Sequence, residues 1–162
     1  MTKLITLTKG KFAIVDDEDY DFINQWKWHI ASGYATRSKY LGIINGKKMT
    51  KAIIMHREIN KTPEGMDTDH INMDRLDNRK SNLRNATRSQ NFMNKKSKTN
   101  SSSRFKGVFW YKKYNKWQSA LKINGKIKFL GYFIDEVSAA RAYNEAAVKY
   151  FGEFAQLNMI ED

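Results

Sequence analysis

The chain has 162 residues, with 29 Lys and Arg against 17 Asp and Glu, a formal net charge of +12, and no cysteine. That length fits one or two small domains and excludes a large enzyme, and the missing cysteine excludes a disulfide framework, a thiolate zinc site and a cysteine nucleophile. With 41% hydrophobic and 13% aromatic residues there is enough apolar material for a core, and the excess charge favours a polyanion such as nucleic acid or an acidic membrane surface.

The opening stretch MTKLITLTKGKF has no apolar run of signal-peptide length, and no membrane-length apolar run follows, so the expectation is a soluble, intracellular protein with no membrane partner. Leu4 to Thr8 and Phe12 to Val15, around Gly10, predict a β-hairpin. Asp16 to Asp19 crowd the start of a predicted helix, where carboxylates oppose the dipole, with Tyr20, Ile23, Trp26 and Trp28 as its apolar face. Glycines at 33, 42 and 46 punctuate a β-like region, and residues 51–60 (KAIIMHREIN) predict a short helix stopped at Pro63 and Gly65.

Asp69-His70 ends the next predicted strand, and a polar loop runs from Asp74 to Lys80. Leu83 to Ala86 then returns as a second strand, and Ser89 is placed to cap a helix beginning near Gln90. On this strand, loop, strand, helix reading, Asp69, His70 and Asn91 converge, with Asn82 near the far end of the loop. An imidazole can deprotonate water near neutral pH, and a carboxylate with an amide oxygen suits a hard divalent cation that neutralises charge on a scissile phosphate. Taken singly, each residue has a plainer reading: a strand-end pair for Asp69-His70, a turn or cap for either Asn.

Residues 94–104 (NKKSKTNSSSR) are rich in Lys and Ser and lack large apolar side chains, the composition of a linker between two modules. Beyond it, Phe105 to Tyr111, Lys116 to Ile123 and Lys126 to Phe133 predict three strands turning at Asn115 and at Asn124-Gly125. Ala139, Ala142, Tyr143, Ala146 and Tyr150 recur at helical spacing, so the expected unit is a three-stranded antiparallel sheet on one helix. Residues 104–128 carry eight basic residues and no acidic one among six aromatics, a candidate surface for DNA, or for single strands through stacking.

Asp69-His70, Asn82 and Asn91, spaced by 12 and 9 residues, together with Asp77-Asn78-Arg79, Asn82-Leu83-Arg84 and Thr87, resemble the HNH endonucleases of phage and intron homing type. The resemblance covers at least residues 54–98 and implies a ββα-metal fold. It also implies His70 as general base, Asn82 bracing the loop and orienting His70, and Asp69 and Asn91 as ligands of one Mg²⁺ or Mn²⁺ ion, with no zinc. His56 matches a position where this branch often carries His-Arg, and its plainer reading is packing against the motif. Arg75, Arg79, Lys80, Arg84 and Arg88 surround the motif, with Arg84 and Arg88 favoured as DNA contacts.

Phe105-Lys106-Gly107-Val108, Lys116-Trp117, Leu130-Gly131-Tyr132-Phe133 and Ala139-Ala140-Arg141-Ala142-Tyr143 resemble the apetala/ethylene-response-factor (ERF) DNA-binding domain. By that likeness Lys106, Lys116, Trp117, Lys122 and Lys128 are candidate DNA contacts. Phe109, Tyr111 and Lys122 stand where several arginines of the plant domains are found, which implies a different target.

The expected architecture is therefore α+β. Residues 1–53 form a β-rich support, 54–98 the nuclease motif, 99–103 a linker and 104–162 the ERF-type domain. The expected activity is metal-dependent, site-preferring cleavage of double-stranded DNA, a monomer nicking one strand, with no obligate protein partner. The alternative is a catalytically silent DNA-binding protein or regulator. The charge is spread along the chain: ten basic against six acidic residues in 1–60, nine against five in 61–99, and ten against six in 100–162.

Overall fold

The computed structural model describes residues 1–95 and 101–161. The chain is α+β and divides into two compact units, Met1–Arg88 and Ser89–Asp162. Of the expected linker, residues 99 and 100 lie outside the described residues. Ser102 and Ser103 are bonded into the second unit: Trp110 N–H donates to Ser102 Oγ at 2.9 Å, and Ser103 Oγ–H donates to Glu136 at 2.6 Å.

In the first unit β1 (Thr2–Thr6) and β2 (Phe12–Asp16) form the expected hairpin, paired from Thr2 with Asp16 to Thr6 with Phe12. Alternation sends Ile5, Ala13 and Val15 into the core with Leu7. The acidic first turn of α1 (Asp17–Ile23) follows as expected. Trp26 and Trp28 lie beyond its end instead of on its face, because the helix closes at Asn24 and the chain turns away. Trp28 is buried and donates its indole N–H to the Ile23 carbonyl at 2.8 Å, while the Arg37 guanidinium lies 4.2 Å from the Trp26 ring centroid.

A three-stranded antiparallel sheet follows, β3 (His29–Ala31), β4 (Tyr34–Ile44) and β5 (Lys47–Ile54), in sequence order. The helix expected over 51–60 forms only as α2 (Met55–Ile59). Residues 51–54 pair with β4 instead, a tertiary partner that outweighs local helical spacing and suits the β-branched Ile53 and Ile54. Met55 and Ile59 then enter the same core as the first hairpin.

Next come β6 (Asp67–His70) and β7 (Leu83–Ala86), an antiparallel pair with Asp69 opposite Arg84 and His70 opposite Leu83, then α3 (Arg88–Met93). This is the ββα order, with α3 starting at Arg88, just ahead of Gln90. The long loop between β6 and β7 is stitched to the first hairpin. Ile14 N–H donates to the Leu76 carbonyl and Asn78 N–H to the Ile14 carbonyl, both at 2.8 Å, and Asp16 accepts from Lys80 N–H at 2.7 Å. The outer edge of β2 is thus spent on holding the loop rather than left open.

In the second unit β8 (Val108–Tyr111), β9 (Lys116–Ile123) and β10 (Lys126–Phe133) form an antiparallel sheet with β9 central. Residues 105–107, expected within the first strand, precede it. Asn115 and Asn124 take positive φ at the two turns, as their side chains allow. The helix α4 (Glu136–Phe151) is capped by Asp135, which accepts from Ser138 N–H at 2.7 Å, and buries Ala139, Ala140, Tyr143, Ala146, Ala147 and Phe151. Gly107, at φ +74°, lets the backbone lie against the Tyr143 ring; a Cβ there would also stand 2.6 Å from the Ala120 carbonyl oxygen.

Candidate active site

His70 ends β6, the strand that runs out of the core into the polar loop, and it is buried together with Asp69, Asp77, Asn78 and Asn82. So many buried polar groups require internal partners, and the loop supplies them. Asn82 donates from Nδ2 to the Asp77 carbonyl at 2.7 Å and accepts at Oδ1 from Asn72 N–H at 2.9 Å, while its own carbonyl accepts from Ile71 N–H at 2.9 Å. One amide thereby ties the two ends of the loop together, beside the end of β6.

Asn78, rather than Asn82, is bonded to His70, with 3.1 Å between His70 Nε2 and Asn78 Oδ1. The orientation of that amide follows from its other contacts: Nδ2 faces the Leu76 carbonyl and the Met55 sulfur, both at 3.4 Å and both acceptors. Oδ1 can only accept, so His70 carries its proton on Nε2, and in the neutral ring Nδ1 is the basic nitrogen. Burial pushes the His70 pKa below its ordinary value, against the pull of the Asn78 hydrogen bond and of Asp69, which favours the neutral form. Asn78 was legible only as part of the Asp77-Asn78-Arg79 text; its role depends on a contact across the loop.

His56, from α2, meets His70 edge to face with ring centroids 4.9 Å apart, and Tyr34 packs on His56 at 5.0 Å. Burial pushes the His56 pKa down to about 3, and its Nδ1 has no hydrogen-bond partner among the described residues. The ring therefore stays neutral and serves as a packing wall for His70, in keeping with the plainer reading.

Several cations expected around the motif are engaged within the chain. Arg84 donates from Nε and Nη2 to one oxygen of Asp69, at 2.9 and 2.8 Å, across the β6–β7 pair, with both side chains largely buried. Its expected role as an outward DNA contact gives way to that ion pair, because register sets it opposite Asp69. Arg79 forms two bonds to Asp77, at 2.7 and 2.6 Å, which hold the Asp77 carboxyl below the usual range. Lys80 pairs with Glu18 at 2.7 Å, and Arg75 donates to the Ser32 carbonyl at 3.0 Å while lying over Tyr34. Arg88 is exposed.

Asn91 lies half-buried on α3, in the second unit. Among the described residues no three His, Cys, Asp or Glu side chains are grouped to hold an ion.

The five candidate DNA contacts of the second unit separate by the faces of its sheet. Lys116 and Lys122 are exposed on the face turned away from α4. Trp117 points the other way and packs with Phe105, Val108 and Ala139. Lys106 is half-buried, donates to the Met93 carbonyl, and has its pKa lowered by burial to about 8. Lys128, beside Leu121 in register, lies over the Tyr150 ring of α4 at 5.3 Å. Alternation, unreadable without the register, takes these three off the open face.

The HNH endonuclease family model matches residues 53–93. An uncharacterised HNH endonuclease of Acanthamoeba polyphaga mimivirus is 34% identical over 154 residues, covering 94% of this chain and 78% of the relative. The chain belongs to the HNH endonuclease family. It is a DNA-cleaving hydrolase. The C-terminal part of this endonuclease is also similar to plant regulators. It is 41% identical over 59 residues to an AP2-like ethylene-responsive transcription factor of Arabidopsis thaliana, and 40% identical over 57 residues to an APETALA2-like protein of Oryza sativa. Those matches span 36% and 35% of the endonuclease, and only 12% and 13% of the plant proteins. No solved structure gives a significant match. Among the described residues no helix is long and apolar enough to cross a membrane.

Proposed function

We propose that the endonuclease is a metal-dependent, site-preferring enzyme of homing type that cuts one strand of duplex DNA per binding event, with His70 as its base. The observation that carries this reading is the Asn78–His70 hydrogen bond, which places the proton on Nε2 and makes Nδ1 the basic nitrogen of a ring kept neutral by burial. As a water oxygen bonds to phosphorus, His70 Nδ1 takes its proton; the bond from phosphorus to the 3′ oxygen breaks on the opposite side. Asn82 and Asp77 keep the loop in place through this step, and His56 keeps the His70 ring from rotating.

The donor set suits a hard divalent ion: Asp69 and Asn91 offer oxygen atoms of the kind Mg²⁺ and Mn²⁺ prefer, and one protein carboxylate leaves room for waters and phosphate oxygens. A single such ion would neutralise charge on the scissile phosphate and the departing oxygen. Arg84 holds the Asp69 carboxylate in place through two bonds to Oδ2. The open face of the second unit's sheet, bearing Lys116 and Lys122, holds the duplex.

The test is cleavage of supercoiled plasmid with Mg²⁺ or Mn²⁺, alongside EDTA and His70→Ala. The wild type is expected to give open circles, EDTA to stop the reaction, and His70→Ala to lose roughly 10²–10⁴-fold in rate while still binding duplex. Cleavage by His70→Ala at the wild-type rate would remove His70 from the chemistry. Undiminished cleavage in EDTA would remove the ion, and linear product without an open-circle precursor would exclude a nicking monomer.

A further inference from the structure

The open face of the β8–β9–β10 sheet carries no arginine, since none lies on any of the three strands; of the Arg and Lys contacts that read guanine with two bonds, it has lysines alone, Lys116 and Lys122, and both stand away from its central row. Register places Phe109, Gln118 and Tyr132 in one row across this face, with Gln118 on the central strand. The rows on either side pair Tyr111 with Lys116 and Ala120 with Phe129, and beyond them Lys122 with Ile127. Apolar side chains stand in water here, Ile127 at 76% and Phe129 at 51% exposure. The rings of Tyr111, Tyr114, Tyr132 and Phe129 touch one another with centroids 4.9 to 5.4 Å apart, so they form a fixed surface.

Gln118 is the only side-chain amide in the central rows, and it has no hydrogen-bond partner among the described residues. In the major groove an adenine edge offers an acceptor at N7 and a donor at N6, which a glutamine amide matches with two bonds, while thymine offers a methyl group to apolar side chains. Lys116 and Lys122 flank Gln118 on the same strand and face, suited to phosphates on either side. From residue 104 to 128 no acidic side chain opposes a polyanion.

We propose that this face reads A·T pairs in the major groove, Gln118 bonding an adenine edge while Phe109 and Tyr132 beside it pack on thymine methyls. The inference rests on the assignment above of this sheet as the surface that holds the duplex.

The experiment uses the full chain carrying His70→Ala, so that bound DNA stays intact. Selection from randomised duplexes is followed by anisotropy titrations on the selected site and on copies with 7-deazaadenine for adenine or deoxyuridine for thymidine. The expected selection contains A·T pairs, and each analogue weakens binding by roughly 10-fold, the scale of one base contact. Adding Gln118→Ala should abolish the response to 7-deazaadenine while leaving the salt dependence unchanged, since phosphate contacts remain. A selected site made only of G·C pairs, or full 7-deazaadenine sensitivity in Gln118→Ala, would overturn the proposal. So would a DNA-free dimer in sedimentation that Phe129→Ser dissociates, because the face would then be an interface between copies. If Lys116→Ala with Lys122→Ala leaves duplex affinity untouched, the sheet is not the DNA-holding surface, and it is the underlying assignment that fails.

Discussion

In residues 1–88 the polar side chains of the site are inside: Asp69, His70, Asp77, Asn78 and Asn82 are buried, Asp69 bonded to Arg84 and the others to one another, to loop side chains or to loop backbone. In the second unit the interior is alanine and aromatic, packed on α4, and much of the distinctive chemistry sits on an open sheet face. Burial fixes rotamers and protonation, which a proton-transfer step needs, at the cost of requiring every partner to be present. An open face leaves its groups ready for a ligand and asks little of the fold beyond register. Substitutions in the first unit should therefore damage stability and chemistry together, whereas those on the open face should change recognition alone.

The largest effect on stability should come from the place where the second unit is as intolerant as the first. Gly107→Ala puts a Cβ against Tyr143 and the Ala120 carbonyl at a positive φ. A loss of about 4 kcal/mol is expected from overpacking and backbone strain together, read from the urea midpoint. A loss under about 1 kcal/mol would mean that the helix yields and that the contact between backbone and ring does not set the sheet's position.

Arg84→Ala comes next. It strips the buried Asp69 carboxylate of its ion pair, and a destabilisation of about 3 kcal/mol is expected, together with slower plasmid cleavage. If stability falls while cleavage does not, Arg84 serves the fold and not the placement of Asp69. Full activity and full stability together would break the contrast between the units.

A further pair of effects separates the units by pH. Burial holds His56 at about 3 against an ordinary 6.5, so between those values the unfolded chain takes up a proton that the folded unit refuses. Stability should fall as the pH is lowered from 6.5 toward 3. Lys106 has the opposite window: with its pKa lowered from 10.5 to about 8, the folded unit has released a proton that the unfolded chain keeps, and stability should rise as the pH climbs from 8 to 10.5. Tm measured across pH should show a shallower acid limb in His56→Phe, the share of the buried His70 remaining, and should lose the alkaline limb in Lys106→Met. Unchanged limbs would show that neither burial persists in solution.

Much of this was legible along the chain. Leu83 to Ala86 forms a strand with the expected bounds, the Asn turns fall where Asn tolerates positive φ, and Asp69-His70 ends its strand because apolar alternation gives way there to a polar loop. What escaped were contacts made across the chain. Residues 51–54 carry a helical spacing yet pair with β4, and His70 is oriented by Asn78, eight residues away, through a loop held by β2.

By itself the sequence determined the element types, the hairpin turns, the ββα order around Asp69-His70 and the alanine face of the last helix, since each depends on local propensity and periodicity. The tertiary structure alone decided which cations remain outward and which groups meet. Strand register turns Lys116 and Lys122 to one face and Lys128 to the other, and it sets Arg84 against Asp69. A side chain's partner depends on pairing between distant segments, and a shift of one residue in that pairing would exchange the two faces.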